Sequence, residues 1–190
     1  MAGLLLAPGA GASSDHPALL ALDRAATAGG LGVRRVDFPY RIAGRGRPDP
    51  PAVLVAAIQD QARELAAGLR TTTSRLVLGG RSMGGRICSE AVAAGLPAAG
   101  LALISYPLHA PGRSDRLRTE HFPRLSLPCL FVSGTRDAFA TPDELRAATE
   151  AIPGAVSHAW IEGGDHGLRG HDAEVAELVA GWMRAQLGAA

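Results

Sequence analysis

RLVLGGRSMGGRICSEAVAA, residues 75–94, is the stretch that decides the fold. Arg75-Leu76-Val77-Leu78 is a short apolar run of strand type, and it runs into Gly79-Gly80. Met83-Gly84-Gly85-Arg86-Ile87-Cys88 and the residues after it open a helical pattern, predicted over 83–94. Between them stands Gly80-Arg81-Ser82-Met83-Gly84, a G-x-S-x-G pattern in the strand–turn–helix context of a nucleophile elbow. Such a turn is tight. Its glycines are small because a side chain would strike the neighbouring strand or helix, and the serine hydroxyl projects from the edge of the sheet. The turn also leaves the Met83 amide at a helix N-terminus, where it can face a developing oxyanion. The competing reading is a glycine-rich turn with a solvated serine.

Outward from the elbow, short apolar runs alternate with longer helical patterns. Strands are expected at 3–6, 33–38, 75–78, 101–105, 127–133 and 158–162. Helices are expected over 17–28, 51–69, 83–94 and 142–152, and as a final amphipathic helix carrying Val175, Leu178, Val179 and Trp182. The Arg-, Gly- and Pro-rich segment 40–51 reads as an exposed loop, and 106–126 as irregular chain. This alternation implies right-handed βαβ units. The expected fold class is α/β: a mostly parallel sheet of about six strands with helices on both faces, in a single domain over 1–190. Ligands of such sheets bind beyond the carboxyl ends of the strands, so the polar residues that follow strands matter most.

Composition excludes several functions. The 190 residues carry 19 basic and 18 acidic side chains, a net charge of +1, which argues against a nucleic-acid surface. Two Trp, two Tyr and four Phe are few for base stacking. The basic residues other than histidine are all arginine, which removes Schiff-base lysines and the lysine of phosphate loops. Cys88 and Cys129 sit in apolar runs and read as buried reduced thiols of a cytoplasmic protein, against a disulfide or a cysteine nucleophile. The start, MAGLLLAPGAG, lacks a basic region and a long apolar core, and no run is long enough for a membrane span. No cysteine and histidine spacing suggests a metal site.

A serine hydroxyl needs a base, and the base needs an orienting acid. Asp137 follows the 127–133 strand in GTRDAFATP, and His166 follows the last strand in IEGGDHGL. Both loops belong to the edge that carries Ser82. His166 is then the base and Asp137 the acid that sets its tautomer, with catalysis requiring His166 Nε2 within about 2.6–3.2 Å of Ser82 Oγ. Asp165 adjoins His166 but points elsewhere and reads as a loop cap. The loop after the first strand, Ala7-Pro8-Gly9-Ala10-Gly11-Ala12, supplies the second oxyanion amide at Ala10. Arg81, His109 and Arg118 are candidate substrate-lining residues that would favour an anionic substrate, against the reading of surface arginines; His121 is a further candidate. His16, His158 and His171 read as surface or capping residues. Gly9-x-Gly11 followed by Asp37 also permits a dinucleotide site, although Ser14 stands where a third glycine belongs.

Seven segments in this order carry a resemblance: APGAGASSDHP (7–17), VDFPY (36–40), GGRSMGGR (79–86), SYPLHAPG (105–112), LRTEH (117–121), LFVSGTRDAFATPDEL (130–145) and GGDHG (163–167). They resemble the small α/β-hydrolase-like proteins of the testis-expressed protein 30 type, relatives of dienelactone hydrolases. The resemblance covers about residues 3–187. It implies an α/β-hydrolase fold, a serine-hydrolase triad at Ser82, Asp137 and His166, and no cofactor. The chain would open at the third strand of the usual eight. Some proteins of this type are subunits of chromatin-modifying complexes, so the alternative is a non-catalytic interaction protein that retains the fold. Without room for a large cap, the expected substrate is a small acyl compound in an open site. A bare edge strand leaves a homo-oligomer possible.

Overall fold

The computed structural model describes residues 1–188. Six strands form one sheet in the order β2-β1-β3-β4-β5-β6, and every neighbouring pair is parallel. They are β1 (Gly3–Ala7), β2 (Gly32–Arg35), β3 (Leu76–Arg81), β4 (Gly100–Ile104), β5 (Cys129–Gly134) and β6 (Val156–Ile161). The helices are α1 (Pro17–Ala28), α2 (Pro39–Ile42), α3 (Pro51–Gly68), α4 (Met83–Ala93), α5 (Pro142–Thr149) and α6 (Asp172–Leu187).

The central strands read as unbroken apolar runs because both faces of the sheet are covered. Within β1, Leu4 and Leu6 face one layer with α1 and α6, whereas Leu5 and Ala7 face the layer of α3, α4 and α5. Helix limits follow local chemistry. Pro17 sits in the first turn of α1, which ends at Gly29 and Gly30. At α5, Thr141 and Glu144 form a reciprocal capping box. Both cysteines are free and buried, and burial pushes each thiol up to about 12. No helix among the described residues is long and apolar enough to cross a membrane.

Two expected segments differ. β2 stops at Arg35, although the Val36 amide still donates to Leu6 O at 2.9 Å. Its continuation, residues 36–38, turns inward to bury Phe38. The segment from 40 is not a simple exposed loop. Tyr40 lies in the one-turn α2, fully buried and stacked with Phe38.

The chain leaves β1 in one direction for β2 and in the other for β3, so the carboxyl ends of β1 and β3 flank a topological switch point. The two strands approach so closely there that side chains are excluded. A Cβ on Gly80 or on Gly84 would meet Ala7 O at 2.2 Å. Gly84→Ala should therefore cost about 2–3 kcal/mol of stability in urea unfolding. Gly11→Ala, with nothing within 4 Å of the added carbon, should leave the midpoint nearly unchanged.

Candidate active site

Ser82 occupies the turn between β3 and α4 with φ 52° and ψ −121°, a left-handed conformation that costs a non-glycine residue about 1–3 kcal/mol. Its amide is held in the sheet by donation to Ile104 O at 2.8 Å. With the backbone fixed there, the side chain points away from the sheet edge. Ser82 Oγ lies 2.9 Å from His166 Nε2. His166 Nδ1 lies 2.8 Å from Asp137 Oδ2 and 3.0 Å from Oδ1. Asp137 is buried and also accepts from the Phe139 amide at 2.8 Å. Donation from Nδ1 to the carboxylate leaves Nε2 as the acceptor that faces the serine hydroxyl.

The loops that carry the acid and the histidine are laced to each other. A Cβ on Gly134 would meet Gly164 O at 2.1 Å, and the Arg136 amide donates to that same carbonyl at 2.9 Å. Phe139 stacks on the His166 ring with centroids 3.9 Å apart. From the other side, Arg81 Nη2 donates to the His166 carbonyl oxygen at 2.7 Å. The imidazole is thus fixed by a carboxylate, an aromatic face and a guanidinium on its own backbone. Asp165 caps its loop by accepting from the amides of Gly167 and Leu168 at 2.8 and 3.1 Å.

Met83 is the first residue of α4, where the amide has no acceptor inside the helix. The Ala10 amide donates to no backbone acceptor among the described residues. Ala10 O accepts from the buried Tyr40 hydroxyl at 2.6 Å, which fastens the loop after β1 from below. Met83 and Ala10 both border a cleft of about 640 Å³ that is also lined by Ser82, His166, His16, Arg81, Arg86 and Arg118.

Several residues fall elsewhere than expected. His109 does not line the cleft. It is buried, with Nδ1 2.9 Å from Ala110 O and Nε2 3.4 Å from Glu144 Oε2. His121 is buried and does not line the cleft; its Nε2 lies 2.7 Å from Ser89 Oγ, and burial lowers its pKa to about 4. His158 is packed between Phe131 and Trp160. His16, read as a surface residue, caps α1 through Nδ1 and lines the cleft; burial and then Arg81 lower its pKa. The dinucleotide reading fails at Asp37, whose two carboxylate oxygens accept from the Ser14 amide and hydroxyl at 2.8 and 2.7 Å. Tyr40 and Arg86 were not foreseen. The FPY segment was the only signal for the first. For the second, a position four residues after Ser82 on α4 was the signal.

The family model of the alpha/beta hydrolase domain matches residues 1–186. The chain belongs to that family. Solved structures agree on the fold. A putative hydrolase of the α/β superfamily from Xanthomonas campestris pv. campestris is 21% identical with a TM-score of 0.73, over 97% of this chain and 99% of that one. A serine hydrolase homologue from Coxiella burnetii is 21% identical with a TM-score of 0.75, over 94% and 83%. A dienelactone hydrolase from Anabaena variabilis is 17% identical with a TM-score of 0.78, over 98% and 87%. At these identities the likeness speaks for the fold.

Because one phenolic hydrogen bond fastens the Ala10 loop, Tyr40→Phe should lower unfolding free energy by about 1 kcal/mol. Equilibrium denaturation of the two proteins measures it.

Proposed function

We propose that this alpha/beta hydrolase is a serine hydrolase that cleaves a small ester or related acyl bond through an acyl-enzyme on Ser82. One observation carries the reading: the unbroken chain from Ser82 Oγ to His166 Nε2 at 2.9 Å and from His166 Nδ1 to Asp137 Oδ2 at 2.8 Å. In the proposed sequence, Ser82 Oγ attacks the acyl carbon while His166 Nε2 takes its proton. The carbonyl oxygen becomes an oxyanion and accepts from the amides of Met83 and Ala10. His166 returns the proton to the leaving alkoxide, which departs as an alcohol. Water then attacks the acyl-enzyme by the same route, releasing the carboxylic acid and restoring the serine. The Asp137 side chain orients the ring through Nδ1 and stabilises the imidazolium. No cofactor enters these steps.

We read residues 1–190 as one domain. The segment 106–126, with a single helical turn at Phe122–Arg124, contributes Pro107 and Arg118 to the cleft wall and forms no larger helical cap. Substrates are therefore small or reach the serine without crossing a cap. The motifs quoted above make kinship with the testis-expressed protein 30 type the narrower family reading, and the two free thiols fit a cytoplasmic location.

The test is a panel of short p-nitrophenyl esters and thioesters. The wild type should turn over at least one. Ser82→Ala should lower kcat by about 10⁵–10⁶-fold and Asp137→Asn by about 10⁴-fold, the scale found when triads lose these groups. Equal rates in the wild type and in folded Ser82→Ala would overturn the assignment.

A further inference from the structure

Three arginines border the cleft, and the proposed reaction uses the side chain of none directly. Arg81 has a structural task, since it holds the His166 carbonyl. Arg86 and Arg118 make no hydrogen bond to the triad loops. Arg86 lies one turn along α4 from Ser82, on the same helix face. Its ion-pair partner is Glu90, and its Nε is buried without a hydrogen-bond partner.

Arg118 comes from the irregular 106–126 segment, yet its backbone is pinned. Its amide donates to Leu108 O at 2.8 Å, and its carbonyl accepts from the buried Tyr106 hydroxyl at 2.7 Å. The guanidinium itself has one long contact, Nη1 to Pro107 O at 3.4 Å, and no carboxylate within ion-pair range among the described residues. Burial first, and then the charge of Arg86, lower the Arg118 pKa, so the two cations feel each other. Two guanidinium groups thus share one carboxylate, Glu90, and Glu90 does not border the cleft. The wall they form carries one uncompensated positive charge. Among the described residues no Asp or Glu lines the cleft.

We propose that Arg86 and Arg118 form a subsite for a carboxylate, and that the substrate is a small ester carrying a free carboxylate beside the scissile acyl bond. The surplus positive charge at this wall favours an anion, and two planar guanidinium groups match a carboxylate in geometry. The fixed backbone of Arg118 lowers the ordering cost of binding. This inference rests on the serine-hydrolase reading for its substrate, but the anion site can be measured without turnover.

Two experiments separate the possibilities. The first compares the p-nitrophenyl monoester of glutaric acid with its uncharged methyl ester. In wild type, kcat/KM should favour the carboxylate by about ten- to a hundredfold, the worth of a charge-assisted contact pair. Arg118→Gln and Arg86→Gln should bring that ratio close to unity, while Arg118→Lys should retain part of it. No preference in wild type, or an equal fall on both esters in the variants, would overturn the subsite. The second experiment measures melting temperature with added glutarate. A rise in wild type that is lost in Arg118→Gln supports the subsite even where no ester is cleaved; in that event only the hydrolase reading fails. No rise alongside ester turnover without charge preference rejects the subsite and leaves the hydrolase reading standing. Melting of each variant without glutarate checks that it folds.

Discussion

The carbonyl oxygen of Ala7 has a glycine on two sides, Gly80 at the end of β3 and Gly84 in the first turn of α4, and neither tolerates a Cβ. That close approach organises the site. It brings the carboxyl end of β1 against the turn that holds Ser82, so the loop with the Ala10 amide emerges beside the serine. It also requires the turn to be compact, and the left-handed backbone of Ser82 is the consequence. The strain is retained because neighbours determine the geometry. The Ser82 amide completes a bond to β4, and α4 packs through buried Ile87, Cys88 and Ala91.

A second contact of the same kind joins the other two loops. Gly134 against the Gly164 carbonyl sets the distance between the Asp137 and His166 segments. The imidazole then needs little freedom. Its ring stacks on Phe139, its Nδ1 meets a buried carboxylate, and Arg81 holds its main chain. Preorganisation of this sort removes the cost of reorienting dipoles during reaction. The arginine between Gly80 and Ser82 thereby couples the elbow to the histidine loop. A guanidinium does this well, because it keeps its charge while half-buried and donates at fixed angles.

The sequence made the frame legible where local chemistry and long-range packing agree. α1 is bracketed by Pro17 and Gly29-Gly30, so its limits were readable. The three polar loops were readable because each follows an apolar run on the same edge of a parallel sheet. Chain order does not reveal which way a side chain points within irregular backbone. His109 and Arg118 occupy the same segment, and only the fold turns the first toward Glu144 and the second toward the cleft. Tyr40 was obscured by the Arg-, Gly- and Pro-rich residues that follow it, although its burial anchors the Ala10 loop. His16 reads as a surface or capping residue; it caps α1, and it also borders the cleft.

The central claim is that the hydroxyl of Ser82, and no other, is made nucleophilic by its neighbours. Another serine, Ser89, also meets a histidine, at 2.7 Å, but it is fully buried and the His121 ring lies outside the cleft. Reaction with a fluorophosphonate followed by peptide mass mapping distinguishes the two directly. The account predicts one adduct, on the peptide containing Ser82, abolished by Ser82→Ala. A folded wild type that forms no adduct, or one that carries it at another residue, would contradict the account.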